Sequence, residues 1–191
     1  MSKIHSVLIV GVGGQGTLLA SKLLGNAMLS SGYDVKVSEV HGMSQRGGSV
    51  VTYVRFGDKV YSPIIEQGEA DLILSFEQLE SARYLPYLKK GGKIIVNTQQ
   101  IDPMPVIIGD KVYPQDILET IEELGIDITA TNALELAEQA GSVKAVNVVL
   151  IGVMAQKLHL DKEIWIDTIK STVPPKFIDM NLKAFELGYN V

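Results

Sequence analysis

Glycines cluster near the N-terminus, where residues 11 to 16 read GVGGQG and satisfy the pattern G-x-G-x-x-G. The apolar run from Ser6 to Val10 precedes them and apolar residues at helical spacing follow, so the motif joins a predicted strand to a predicted helix. Glycines in this position permit a tight turn and let a phosphate approach the N-terminus of the helix. The candidate ligand contacts are Gly11, Gly13, Gly14, Gln15 and Gly16. The alternative interpretation is that the glycines serve only close packing of the helix on the sheet.

A second group of polar residues lies between Glu39 and Gly48, where the sequence reads EVHGMSQRGG. The segment follows the second predicted strand, so we expect it at the carboxyl edge of the sheet beside the glycine turn, where open α/β sheets bind ligands. Arg46 can form two parallel hydrogen bonds with a phosphate or a carboxylate. The candidates here are His41, Ser44, Gln45, Arg46 and Gly47. The alternative is a loop whose arginine binds groups within the fold, and a lone histidine is more often structural than catalytic.

Other polar residues close the predicted strands. Glu39 stands where a dinucleotide-binding fold carries its ribose-binding carboxylate, although we favour an ordinary solvated carboxylate at this position. Three further strand ends are polar: Ser75-Phe76-Glu77, Asn97-Thr98 and Thr131-Asn132. Asn and Thr at such positions accept hydrogen bonds from the free amides of a helix start, so we expect these residues to cap helices.

The composition excludes several classes of function. The sequence has no cysteine, so this chain cannot itself hold a disulfide, a zinc thiolate site, a cysteine nucleophile or an iron-sulfur cluster. The formal net charge of -5 disfavours nucleic-acid binding. No Ser-His-Asp order, G-x-S-x-G elbow or P-loop lysine is present. The longest apolar run, Ala145 to Ala155, is far shorter than the roughly 20 residues of a membrane helix. Without a signal-peptide pattern we expect a cytoplasmic protein with no membrane contact.

Hydrophobic periodicity predicts a single doubly wound, Rossmann-like α/β domain over residues 1–191, with a mostly parallel sheet, an antiparallel hairpin and a helical C-terminal region. We expect the second strand to be the parallel partner of the first, and the hairpin to turn at Gly57-Asp58. The predicted strands are Ser6–Val10, Val35–Val40, Gly48–Phe56, Lys59–Ile65, Asp71–Ser75, Lys93–Asn97 and Asp127–Thr131. The first predicted helix follows Gly16. The other predicted helices are Glu77–Leu88, Pro114–Leu124, Ala133–Gln139, Val143–His159, Lys162–Thr172 and Lys176–Leu187.

The motifs GVGGQG and SEVHGMSQRGGSVVTYVRFGDKVYSP resemble those of the gamma-type subunits of the 2-oxoacid:ferredoxin oxidoreductases, most closely the indolepyruvate branch. The resemblance covers nearly the whole chain, including the segments ADLILSFEQLE, GGKIIVNT and KAVNVVLIG. It implies an accessory subunit of an enzyme that oxidatively decarboxylates an arylpyruvate to an acyl-CoA and passes electrons to ferredoxin.

The same resemblance implies that a partner alpha subunit carries thiamine diphosphate and the iron-sulfur clusters, while this chain binds no cofactor by itself. Coenzyme A is the co-substrate, and the glycine turn and the Ser44-Gln45-Arg46 loop are candidates for contacting its phosphates or the partner's active-site edge. Three alternatives stay open: a subunit of a pyruvate, 2-oxoisovalerate or 2-oxoglutarate enzyme, a stand-alone NAD(P)- or flavin-binding oxidoreductase, and an assembly module whose polar loop contacts only protein.

Overall fold

The structure is a computed structural model that describes residues 4–41, 48–158 and 160–191. Six strands in these residues form one sheet: β1 (His5–Val12), β2 (Asp34–His41), β3 (Ser49–Gly57), β4 (Ala70–Ser75), β5 (Leu88–Asn97) and β6 (Asp127–Thr131). The helices are α1 (Thr17–Ser30), α2 (Gln78–Tyr84), α3 (Met104–Ile107), α4 (Ile117–Glu123), α5 (Ala133–Ala140), α6 (Val146–Leu158), α7 (Lys162–Thr172) and α8 (Ile178–Tyr189).

The sheet has the order β2-β3-β1-β4-β5-β6, in which β3 is antiparallel to both of its neighbours and the pairs from β1 to β6 are parallel. The predicted α/β class with a mostly parallel sheet is therefore confirmed. The expectation that the second strand pairs with the first is wrong, because Val54 of β3 lies between Val7 of β1 and Val37 of β2. An apolar pattern identifies a strand but not its partner.

The predicted hairpin at Gly57-Asp58 is also wrong, because Lys59–Ile65 forms no strand in the part of the chain described here. Val60 and Ile65 are buried, so the apolar residues of this segment anchor a loop to the core. Pro63 lacks the amide that a central ladder needs, and the amide of Val60 donates to Asp34 Oδ2 over 2.8 Å. The antiparallel hairpin is formed by β2 and β3 instead.

Helix boundaries differ from the predictions where proline or a left-handed residue intervenes. The helix after β4 ends at Tyr84 and passes into a 3-10 turn that contains Pro86, after which β5 begins at Leu88. The helix predicted from Pro114 begins at Ile117, because Asp116 adopts a left-handed conformation with φ 56°. Helix α3 was not predicted, because its four residues are too few to show a periodicity.

Two apolar cores lie on opposite faces of the sheet. The larger core packs α1 and α5 to α8 against one face, and the smaller core packs α2 and α4 against the other. Helix α6 is buried from Val146 to Ala155, and each fully buried aliphatic side chain contributes about 1.5–3 kcal/mol. The chain thus has the three layers of a doubly wound domain.

Helices α6 and α8 approach each other at two glycines. A Cβ atom on Gly152 would lie 2.3 Å from the carbonyl oxygen of Phe185, and one on Gly188 would lie 2.0 Å from that of Val149. Only residues without side chains allow this backbone contact, so the glycines fix the distance between the two helices.

Candidate functional site

The glycine turn lies between β1 and α1 at the carboxyl edge of β1. The chain leaves β1 through α1 toward β2 on one side, while β4 pairs with β1 on the other side. This reversal of direction is the topological switch point, where open α/β sheets form a ligand-binding crevice. The amide of Gly13 donates to the carbonyl oxygen of Gly48 over 2.9 Å, which ties the turn to the start of β3.

The glycines of the motif have different tasks. Gly14 and Gly16 have φ values of 100° and 87°, in the left-handed region that favours glycine. A Cβ atom on Gly11 or Gly16 would also collide with a neighbour, at 2.9 Å from Gln15 Oε1 and 2.6 Å from Asn147 Nδ2 respectively. At Gly14 the space around a Cβ atom is open within 4 Å. Gly11 and Gly16 therefore serve packing, and Gly14 leaves the turn accessible from outside.

The side chain of Gln15 braces the turn from within. Its Oε1 accepts a hydrogen bond from the amide of Val12 over 2.7 Å. Its Nε2 donates to the carbonyl oxygen of Phe76 at 3.0 Å and to Gln99 Oε1 at 3.2 Å. These contacts join the ends of β1, β4 and β5, so the amide group of Gln15 holds the turn against the sheet.

Asn97 continues this amide network toward α5. Its Nδ2 donates to the carbonyl oxygen of Phe76 at 3.1 Å, and its Oδ1 accepts from the amide of Ala133 at 3.1 Å. Asn132 caps the same helix by accepting from the amide of Glu135. The predicted capping roles are thus observed at Asn97 and Asn132.

A cleft of about 500 Å³ opens in front of the glycine turn. Its lining residues are Gly14, Gln15, Gly16, Gln99, Leu134, Val143, Lys144 and Val146. The first turn of α1 has no side-chain cap, so its amides carry the positive end of the helix dipole toward this edge of the sheet. Lys144 adds an exposed ammonium group on the opposite wall. The cleft can therefore bind an anionic group such as a phosphate.

The loop predicted to carry Ser44, Gln45, Arg46 and Gly47 lies outside the described residues, and the structure describes His41 only through its backbone. That backbone pairs with Val50, and Ser49 pairs with Val12 at the end of β1. The Gly48 end of the loop therefore adjoins the glycine turn, and His41 lies at the same edge of the sheet, one strand further out. Ligand contacts by these residues remain a prediction.

Glu39 packs against α1. Its Oε1 accepts a hydrogen bond from Ser21 Oγ over 2.9 Å, and the side chain is half-buried. Glu39 is therefore not a simply solvated carboxylate, as we had favoured, because its side chain joins β2 to α1. The hydrogen bond to Ser21 gives Glu39 a role within the fold that is independent of ribose binding.

A buried carboxylate that sequence reasoning recognised only as a helix cap lines a second, smaller cavity together with Val12 and Ser49. Glu77 is 1% exposed and caps α2 by accepting from the amide of Glu80 over 3.0 Å. Its other oxygen accepts from the amide of Ile101 at 3.1 Å and from the hydroxyl of Tyr113. Burial, and then the hydrogen bond to Glu77, raises the pKa of the Tyr113 hydroxyl well above its ordinary value.

Gln99 and Lys144 were not among the predicted site residues. Gln99 belongs to no motif, and Lys144 begins the segment KAVNVVLIG, for which no site role was predicted. Only the fold brings the end of β5 and the turn before α6 to the cleft. In residues 4–41, 48–158 and 160–191 no group of three or more His, Asp or Glu side chains could hold a metal ion. Within the same residues no helix is long and apolar enough to cross a membrane.

Comparison with known proteins places this geometry in a family. Residues 6–191 match the model of the family described as pyruvate ferredoxin/flavodoxin oxidoreductase. The indolepyruvate oxidoreductase subunit IorB of Thermococcus kodakarensis is 49% identical over 191 residues, which cover 97% of this chain and 95% of that protein. The ketoisovalerate oxidoreductase subunit VorA of Methanothermobacter marburgensis is 30% identical over 95% of this chain but only 35% of that protein.

A solved structure has the same architecture. The gamma subunit of a keto/oxoacid ferredoxin oxidoreductase from Geobacter sulfurreducens superposes with a TM-score of 0.72 at 25% identity, covering 97% of this chain and 96% of that chain. The similarity in fold thus extends over nearly the whole of both chains.

Proposed function

The chain belongs to the pyruvate ferredoxin/flavodoxin oxidoreductase family, and we propose that it is the accessory subunit of a ferredoxin-dependent oxidoreductase acting on 2-oxoacids, preferably arylpyruvates such as indolepyruvate. The observation that carries the proposal is the 49% identity with an indolepyruvate oxidoreductase subunit over nearly the full length of both proteins. In the proposed reaction one 2-oxoacid and one CoA thiol yield an acyl-CoA, CO₂ and a proton. Two electrons pass to two one-electron ferredoxin acceptors.

The redox and decarboxylation chemistry belongs to the partner subunit in this proposal. Thiamine diphosphate there supplies the carbanion stabilisation, and iron-sulfur clusters carry the electrons. The residues of this chain do not fit a cluster, because the sequence contains no cysteine thiolates. This chain contributes a binding surface for CoA.

The cleft at the glycine turn is the proposed site for the phosphates of CoA. Uncapped amides of α1, the Lys144 ammonium group and the side-chain amide of Gln99 are donors with the right chemistry for phosphate oxygens. Gln99 Oε1 accepts from Gln15 and Asn97, which leaves its Nε2 as the group that can donate to a ligand. The loop with Arg46 would add a bidentate contact.

Steady-state kinetics of the reconstituted enzyme test this assignment. We expect Lys144→Ala and Arg46→Ala each to raise KM for CoA about tenfold, the effect of losing one charge-assisted hydrogen bond of about 1.4 kcal/mol. Both kcat and KM for the 2-oxoacid should stay within about twofold of wild type. Lys183→Ala, which removes an exposed lysine from α8, is the matched control. Unchanged KM for CoA in both variants would assign the loop and the cleft to protein contacts only.

The choice of 2-oxoacid is tested separately. The proposal predicts a higher kcat/KM for indolepyruvate than for pyruvate, 2-oxoisovalerate or 2-oxoglutarate in the assembled enzyme. A preference for 2-oxoisovalerate would favour the ketoisovalerate alternative, to which the relative VorA corresponds.

A further inference from the structure

Residues 102–112, here called the 102–112 excursion, leave the sheet after β5 and expose apolar side chains. Met104, Ile107, Ile108 and Val112 are between 61% and 84% exposed. Val106 points the other way and packs against the smaller core. Four large apolar side chains exposed within nine residues form a patch of the kind that marks a contact with another protein.

Local backbone hydrogen bonds shape the excursion. Pro103 O accepts hydrogen bonds from the amides of Val106 and Ile107 at 2.9 and 3.1 Å, and the amide of Lys111 donates to Pro105 O at 3.0 Å. These bonds give the backbone that carries the apolar side chains a defined path. A preorganised surface of this type loses little conformational entropy on binding.

A single buried carboxylate closes the base of the excursion. Glu77 Oε1 accepts from the amide of Ile101, immediately before it, and from the hydroxyl of Tyr113, immediately after it. Because Glu77 also caps α2, both ends of the excursion are fixed to the sheet. The exposed apolar side chains are thus held at a constant position relative to β4.

The excursion adjoins the candidate site. Asp102 and Pro103 line a cavity of about 50 Å³ together with Val12 at the end of β1 and Ser49 at the start of β3. The amide of Gly13 in the glycine turn is bonded to Gly48, the residue before Ser49. The base of the excursion therefore lies at the same edge of the sheet as the glycine turn.

Acidic residues outnumber basic ones along the chain in and after the excursion. The exposed carboxylates between residues 102 and 119 are Asp102, Asp110, Asp116 and Glu119, and the only base in this stretch is Lys111. A surface that covers the patch must desolvate or pair these charges, so a partner with lysines and arginines around an apolar centre is complementary.

We propose that the 102–112 excursion is the docking surface for the thiamine-bearing partner subunit, which presents an apolar pocket rimmed by basic residues. This inference rests on the proposed function. In the relative VorA the part similar to this chain is about one third of a longer protein, so the corresponding unit there is continuous with further polypeptide. Docking through the excursion positions the glycine turn at the edge of the partner.

Binding of the purified chain to the immobilised partner subunit tests the proposal. The variant Met104→Ser/Ile107→Ser/Ile108→Ser removes the apolar patch, and Leu29→Ser/Leu124→Ser removes exposed apolar side chains at the amino edge of the sheet. We expect the first variant to raise Kd at least about 30-fold and the second to leave it within about twofold, because buried apolar anchors dominate interfaces. Equal melting temperatures confirm that both variants fold.

The charges provide a second test. Asp110→Lys/Glu119→Lys should raise Kd about fivefold at low salt, and the difference should disappear near 1 M salt. Glu122→Lys/Glu123→Lys changes the net charge equally at the other end of α4 and should have no such effect.

Wild-type affinity in the apolar variant overturns the docking proposal, as does self-association of the chain through this patch in sedimentation experiments. Failure of the wild-type chain to bind the partner at all overturns the proposed function and the docking proposal together.

Discussion

Gln15 lies inside a motif that suggests ligand contacts, and its side chain forms hydrogen bonds within the protein. Its amide joins Val12, Phe76 and Gln99, so it stabilises the turn that presents the cleft. Direct contact between Gln15 and a ligand stays a prediction. A residue of this kind affects ligand binding through the position of its neighbours.

Replacement of Gln15 by alanine should lower the free energy of unfolding by about 1–3 kcal/mol, because the amide of Val12 loses its partner and the carbonyl oxygen of Phe76 keeps only the hydrogen bond from Asn97. Gln100→Ala, which removes an exposed glutamine nearby, should change stability by less than about 0.5 kcal/mol. Urea unfolding followed by circular dichroism measures both values. Equal stability of the two variants would contradict the bracing role.

Tyr113 makes the stability of the domain sensitive to alkaline pH. Its pKa is raised in the folded chain by burial and by Glu77, whereas an unfolded tyrosine ionises near its ordinary value of about 10. The contribution is therefore fully present below about pH 10 and is lost as the pH rises above that value, where only the unfolded chain releases the proton. The free energy of unfolding should fall more steeply between about pH 9.5 and 11.5 in wild type than in Tyr113→Phe. Parallel pH profiles in urea titrations would contradict this prediction.

The packing of α6 against α8 depends on the absence of side chains at two positions. Their backbones meet at Gly152 and Gly188, where even a methyl group has no room. By contrast, Gly25 of α1 would place a Cβ atom 3.7 Å from Val37, an ordinary contact distance. The same substitution therefore has opposite effects in two buried helices.

Gly152→Ala should destabilise the domain by about 3 kcal/mol or more, because two helix backbones must separate. Gly25→Ala should leave stability unchanged or raise it by up to about 1 kcal/mol through its higher helix propensity. Thermal melts of the two variants under identical conditions provide the comparison. A Gly152→Ala variant with the melting temperature of the wild type would contradict this prediction, because α8 could then shift to make room for the methyl group without loss of stability.

The strands and long helices were predictable from the sequence because their apolar periodicity is local. Helix α7 begins and ends at the predicted residues, and β6 does as well. The position of β3 between β1 and β2 was not predictable, since an apolar pattern does not identify the strand that pairs with it. The loop Lys59–Ile65 resembled a strand because Val60 and Ile65 anchor it in the core. Local patterns report burial and say little about pairing.

The candidate site was predictable only where a motif marked it. The position of the glycine turn at the switch point follows from its place between a strand and a helix. Gln99 and Lys144 were missed because tertiary structure alone brings them to the cleft. Glu77 was expected to cap a helix and does so, but its contacts with Ile101 and Tyr113 span 24 and 36 residues in sequence. Long-range hydrogen bonds of this kind leave no local signal.

At the scale of the whole molecule, the chain should be catalytically silent alone. It has no cysteine for a cluster, and its described residues offer no metal site. Purified chain mixed with indolepyruvate, CoA and an artificial electron acceptor should therefore show no reduction of the acceptor, whereas addition of the partner subunit should restore it. CoA-dependent reduction by this chain, free of partner, would contradict the assignment.

Among the described residues no strand pairs with the outer edge of β2, beside the exposed side chains of Val37 and Val40. Lys36, paired with Asp34 at 2.6 Å, and Glu39 place charges along this edge, and such charges oppose pairing with a second sheet. Ionic strength weakens this protection, because screening shortens the reach of the charges. Concentrated, high-salt stocks of the chain should consequently form β-rich aggregates sooner than dilute, low-salt stocks.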